Sequence, residues 1–78
     1  MNSGMIDDFI KYIKSIGFIH SHNTVYNYEN FTIHIYKIYY DFYDGSHSTL
    51  FIQYNDLNLL EKYFKRELRS IKLKELLR

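Results

Sequence analysis

The apolar positions between Phe31 and Phe42 keep a two-residue period but change phase partway. Phe31, Ile33 and Ile35 are odd; Ile38, Tyr40 and Phe42 are even. A strand alternates its side chains strictly, so no single register puts both sets on one face. The run therefore predicts an extra residue, as a bulge or bend near Tyr36-Lys37. The alternative is a sheet covered on both faces, by helices on one side and by a second chain on the other.

The flanking segments fix the neighbours of this strand. On its N-terminal side, Tyr26 and Tyr28 face Ile33 and Phe31 if Glu29-Asn30 is a two-residue turn. On its C-terminal side, Asp44-Gly45 offers two registers. A two-residue turn pairs Phe42, Tyr40 and Ile38 with His47, Thr49 and Phe51. A three-residue loop, Tyr43-Asp44-Gly45 with a bulge at Gly45, aligns Phe42, Tyr40, Ile38 and Tyr36 with Ser48, Leu50 and Ile52. The second segregates polarity better and is preferred. It leaves Lys37, Tyr39, Asp41 and Tyr43 beside His47, Thr49, Phe51 and Gln53 on the other face. Such a mix of aromatic and polar groups suits a protein interface or base stacking, or simply a half-exposed sheet.

Helical periods bracket the strands. Ile6, Phe9, Ile10, Ile13 and Ile16 form one stripe, with Ser3 as N-cap, Asp7 and Asp8 early, and Lys11 and Lys14 later. Gly17 is the left-handed C′ residue, which makes Ile13 and Phe18 the contacting pair of a Schellman motif. Residues 19–24 read as a loop or ragged strand entry. A second helix starts after Asn55, or at Asn58 with Glu61 completing a capping box. Glu61 and Lys65 form an i, i+4 pair, and Ser70 either interrupts the helix or sits within it. Leu73, Leu76 and Leu77 fit a short terminal helix. The expected fold is one small α+β domain over residues 1–78: α-β-β-β-α, a three-stranded antiparallel sheet packed on helices, with an optional extra C-terminal helix.

The α-β-β-β-α order is similar to that of double-stranded-RNA-binding domains, in which a basic second helix grips the phosphate backbone. The Lys-Lys-x-Ala-Lys signature that opens that helix is absent. This chain reads Asn55-Asp56-Leu57-Asn58-Leu59-Leu60-Glu61 there, so no phosphate contact is carried over to any residue.

Charge singles out the C-terminal segment. Three lysines against six acidic residues leave positions 1–60 at −3, whereas seven cations against three glutamates put positions 61–78 at +4. Lys62, Lys65, Arg66, Arg69 and Lys72 fall on one side of a helix, opposite Leu57, Leu60, Phe64, Leu68 and Ile71. This cationic ridge is the expected binding surface, with Tyr39, Tyr43 and Phe51 of the sheet as a second one. Its bland counterpart is a solvated helix face whose long stems cover apolar surface.

Several classes are set aside. Without cysteine there is neither a disulfide framework nor a thiolate zinc site. His20, His22, His34 and His47 lack a recognisable ligand spacing, and no metal or cofactor is expected. No phosphate-binding loop, nucleophile elbow or His-Glu-x-x-His occurs, so the chain is read as non-enzymatic. No apolar run approaches a membrane span and no secretory signal is evident, which leads to a cytoplasmic expectation. Ile, Lys, Asn, Tyr and Phe supply 38 of 78 positions while Ala, Pro, Cys and Trp are missing, the mark of an A+T-rich genome. The resulting expectation is a phage- or mobile-element-encoded interaction protein. It would bind and modulate or inhibit a larger host protein or nucleoprotein, for example in anti-defence against an RNA-guided nuclease. A module binding RNA or DNA phosphates and a homodimeric structural or virion-assembly component are the alternatives.

Overall fold

A computed structural model describes residues 3–77. Helix α1 (Ser3–Ile16) is followed by five strands, β1 (Ile19–His22), β2 (Val25–Tyr28), β3 (Phe31–Ile35), β4 (Tyr40–Tyr43) and β5 (Ser48–Ile52). Helices α2 (Asn58–Tyr63) and α3 (Lys65–Leu76) close the chain. The strands form one antiparallel meander in the order β1-β2-β3-β4-β5, so β1 and β5 are its edges. The α+β class is as expected. Five strands replace the expected three, and the element order thereby departs from that of double-stranded-RNA-binding domains.

The phase change explains the difference. The run from Phe31 to Phe42 is two strands joined by Tyr36-Lys37-Ile38-Tyr39: the expected irregularity near Tyr36-Lys37 is a bend, at Lys37-Ile38, and it divides the run instead of bulging one strand. Ile33 pairs with Phe42 and Ile35 with Tyr40, so odd positions of β3 and even positions of β4 share the face beneath the helices. Ile38 belongs to the loop and is exposed. The other added strand is β1, in the segment read as a loop or ragged strand entry. It pairs with β2 and turns through Asn23, which takes the left-handed φ of 49°.

Local signals located the first helix end and hairpin. Phe18 N–H donates to the Ile13 carbonyl at 3.1 Å and Gly17 N–H to that of Lys14 at 3.1 Å, the two bonds of a Schellman motif. Gly17 has φ +136°, and an added Cβ would lie 2.8 Å from the Tyr28 ring. Tyr26 pairs with Ile33 and Tyr28 with Phe31 around Glu29-Asn30, as expected. At the start of α1 the helix already includes Ser3, so its capping position lies outside the described residues, as does Arg78. Asp7 and Asp8 fall beyond the first turn.

The second hairpin follows neither register derived from sequence. Tyr43 pairs with Ser48 and Phe42 with Thr49 around a four-residue loop, Asp44 to His47. The Asp44 carboxylate accepts the backbone N–H groups of Ser46 and His47, at 2.9 and 2.6 Å, and this side-chain brace makes the longer loop stable. The register then slips: Tyr40 pairs with Ile52, so Leu50 and Phe51 together oppose Asp41 in a bulge. Leu50 is thereby exposed, and Thr49, not Leu50, shares the face of Phe42.

One apolar cluster lies between sheet and helices. Phe9, Ile13 and Ile16 of α1 meet Tyr26, Ile33, Ile35, Tyr40, Phe42 and Ile52 of the sheet, with Phe18, Tyr54, Leu60 and Phe64. Phe64 packs at ring-centroid distances of 5.4 Å from Phe18, 4.8 Å from Phe31 and 6.2 Å from Phe42. It also separates α2 from α3, with φ −120° and ψ 32°. The C-terminal segment is thus broken at Phe64, not at Ser70, and α3 runs through Ser70 to Leu76.

Candidate interaction surface

The buried anchors Leu60 and Phe64 orient the C-terminal helices, and half-buried Leu57, Leu68 and Ile71 extend the inward stripe. This leaves Lys62, Lys65, Arg66, Arg69 and Lys72 all exposed. They do not share one groove: the break at Phe64 puts Lys62 on a separate helix, and the cations of α3 divide between its two flanks. Lys65, Arg69 and Lys72 line a groove against Tyr12 of α1, with Glu61 and Glu75 in the same groove. Arg66 and Lys74 line the other flank of α3, beside Ser15, Tyr28 and Glu67. Lys62 stands apart with Thr49 and Asp56 near β5, its Nζ 5.9 Å from the Tyr63 ring centroid. Glu61 and Lys65 lie on opposite sides of the break, in different helices.

Apolar side chains interleave with these cations. Leu73 follows Arg69 by four residues and Arg66 by seven, and Leu76 follows Arg69 by seven, so they share the solvent side of α3. Leu73, Leu76 and Leu77 are 54, 79 and 84% exposed. No residue of α3 is fully buried. Sequence reasoning assigned these leucines to a terminal helix but not to the face that carries the cations. Their spacing from Arg66 and Arg69 was the available signal.

The sheet residues singled out from sequence divide. Tyr39 and Phe51 are brought together, with ring centroids 4.7 Å apart. Tyr43 is not with them; it pairs with Thr32 and Ser48 towards the opposite end of β4 and donates its hydroxyl proton to the Gly45 carbonyl. Tyr39 stacks in turn on Tyr36 at 4.6 Å, and Tyr36 on His34 at 4.2 Å. His34, Tyr36, Tyr39 and Phe51 therefore make a continuous line of rings on the face away from the helices. Phe51 reaches it only through a left-handed backbone, φ 62°, which costs a bulky residue about 1–2 kcal/mol. Non-local pairing creates that conformation, and no local sequence signal announces it.

The histidines are dispersed. His20 Nε2 lies 2.7 Å from the Asn23 carbonyl oxygen, His22 Nδ1 3.1 Å from the Ser21 hydroxyl, and His34 Nδ1 2.9 Å from the Tyr36 hydroxyl. Among the described residues no three His, Cys, Asp or Glu side chains gather in a way that would hold a metal ion. Nor is any described helix long and apolar enough to cross a membrane. The Asp44 carboxylate is held well below its ordinary range, at about 2, by the His47 and Ser46 N–H groups and by the Tyr63 hydroxyl, which donates to it at 2.8 Å. Its three donors make it a structural brace between the β4–β5 loop and α2.

No protein-family model matches the chain, and neither the curated proteins nor the solved structures compared with it gave a match.

Proposed function

We propose that this is a non-enzymatic binding protein that acts by occupancy, using the outward face of α3 to engage an acidic, partly apolar surface on a larger protein. The observation that carries this is the exposure of Leu73, Leu76 and Leu77 among Lys65, Arg66, Arg69 and Lys72. Fully burying a leucine side chain is worth about 1.5–3 kcal/mol, enough for three of them to anchor a contact. The surrounding cations would steer an acidic partner and fix its orientation. The target as a host assembly, and inhibition as the outcome, extend this proposal on the strength of small size and A+T-rich composition.

Binding of RNA or DNA phosphates is the second reading. It is favoured by cations on both flanks of α3, Lys65, Arg69 and Lys72 on one and Arg66 and Lys74 on the other. Affinity capture from a host lysate, with and without nuclease and across a salt series, separates the two. A protein partner survives nuclease, whereas phosphate binding is lost with nuclease and weakens steeply and linearly in log–log terms as salt rises. Leu73→Ala with Leu76→Ala should release a protein partner and leave phosphate binding intact. Reversing charge at Lys65, Arg66 and Arg69 should abolish either while folding stability stays nearly unchanged. Capture unaffected by both sets of substitutions would remove α3 as the binding surface.

A further inference from the structure

The sheet ends in a strand that has a bulge at Leu50-Phe51 but no charged or proline guard. From Gly45 to Gln53 no residue is Lys, Arg, Asp, Glu or Pro, the residues with which sheet edges usually discourage pairing. β5 has β4 on one side and no strand on the other. Leu50 and Phe51 on this strand are 57 and 69% exposed, and Ile38, in the loop beside Gln53, is 69% exposed. Phe51 also closes the line of rings running from His34, so its outer face is where a further aromatic group can stack.

Free backbone donors and acceptors along an edge call for another strand, and the surrounding charges indicate which. From Tyr36 to Tyr43 the charged residues are Lys37 and Asp41, an even balance that offers nothing to a polyanion. On the helix side, a groove beside β5 holds both Asp56 and Lys62 with Thr49 and Ile52. A two-fold axis through this edge would bring Lys62 of each copy towards Asp56 of the other. That is the self-complementarity an isologous interface requires. Two copies of an uncharged strand also meet without like-charge repulsion.

We propose that β5 pairs antiparallel with β5 of a second copy of this chain about a two-fold axis, joining two five-stranded sheets into one. Leu50, Phe51 and Ile38 are covered by their counterparts, and the strained Phe51 extends its stack across the axis. This interface is separate from α3 and stands whether or not α3 binds as described above.

Sedimentation and light scattering from micromolar to near-millimolar concentration test it. The wild-type chain should reach a dimer and stop there. Leu50→Lys with Phe51→Lys should raise the dimer dissociation constant about tenfold or more, with the circular dichroism spectrum retained. Both positions are exposed, but a second measurement guards against misfolding. Leu50→Cys, in a chain that has no other cysteine, should form an intermolecular disulfide on mild oxidation, whereas Leu76→Cys should not. A wild-type chain that stays monomeric overturns the proposal. So does a dimer lost through Leu73→Glu with Leu76→Glu but not through the β5 substitutions, which would place the contact on α3. Open-ended growth would point to β1–β5 pairing between copies, and β5 amides protected only by a foreign peptide would make the edge a site for another protein; either result also overturns it.

Discussion

The phenol of Tyr54 clasps the backbone of Tyr36. Its oxygen accepts the Tyr36 N–H at 3.1 Å, and its own proton goes to the Tyr36 carbonyl. Tyr36 opens the loop where the strand pattern changes phase, and its N–H is shared with the Tyr39 carbonyl at 3.0 Å. Tyr54→Phe removes both bonds; the N–H keeps the Tyr39 carbonyl but the Tyr36 carbonyl loses its donor, so the cost should be about 1–3 kcal/mol. Urea unfolding with an unchanged slope checks this. A much larger loss would mean that the loop cannot close without the clasp.

Phe64 is both the largest hydrophobic anchor of the C-terminal helices and the point where they part. Phe64→Ala removes a fully buried ring that packs on Phe18, Phe31 and Phe42, and should cost about 3–5 kcal/mol. In a chain this small that is a large share of total stability. Thermal unfolding reads the loss directly. A loss under about 1 kcal/mol would show that the aromatic cluster repacks without it.

Acid should act through Asp44. Its folded pKa, about 2, lies below the ordinary 3.8 because Ser46, His47 and Tyr63 donate to the charged form. A depressed carboxylate contributes stability that is complete above its unfolded pKa. That contribution is lost as pH falls through the folded one, here between about 4 and about 2. Carboxyl NMR titration should place Asp44 well below 3.8. In Tyr63→Phe its pKa should rise yet stay below 3.8, since the two backbone donors are the larger cause.

Base should act through the tyrosines. Burial is the main cause raising the phenols of Tyr12, Tyr36, Tyr40 and Tyr54, and hydrogen bonds to Glu67 and Asp44 chiefly raise Tyr28 and Tyr63. Tyr40, fully buried with its proton on the Asp56 carbonyl at 3.1 Å, is raised furthest. A group whose folded pKa is raised stabilises the fold below its unfolded pKa, near 10, and loses that contribution as pH climbs through the folded value. Stability should therefore hold at neutral pH and fall steeply above about pH 10. Tyrosinate absorbance rising together with loss of circular dichroism is the expected signature. Full ionisation with the fold intact would contradict it.

What the sequence disclosed was local. Gly17 and Phe18 announce their helix end because glycine and a spaced apolar pair suffice, and Glu29-Asn30 sets its register by matching tyrosines to Phe31 and Ile33. The outward set of cations followed from the helical period alone. The remainder depended on distant partners. The loop from Tyr36 to Tyr39 contains no Gly, Pro, Asn or Asp, so the phase change marks a bulge or bend there without showing that the strand ends, until Tyr54 is seen holding it. The β4–β5 loop is longer than glycine placement suggests because the Asp44 carboxylate substitutes for backbone partners. β1 reads as loop or ragged strand entry from composition and is a strand because β2 is beside it. The separation of Lys62 from the cations of α3 arises at Phe64, a residue whose sequence context is wholly helical.

With Leu68 and Ile71 half-buried, the Tyr28 hydroxyl bonded to Glu67 at 3.1 Å and no residue fully enclosed, α3 is only lightly tied to the rest. Its amide protons should exchange with solvent sooner than those of β3 or β4, so this arm can melt while the sheet stays folded. Whatever docks there must first freeze the arm in place. Its grip will then slacken on warming well before the protein itself denatures.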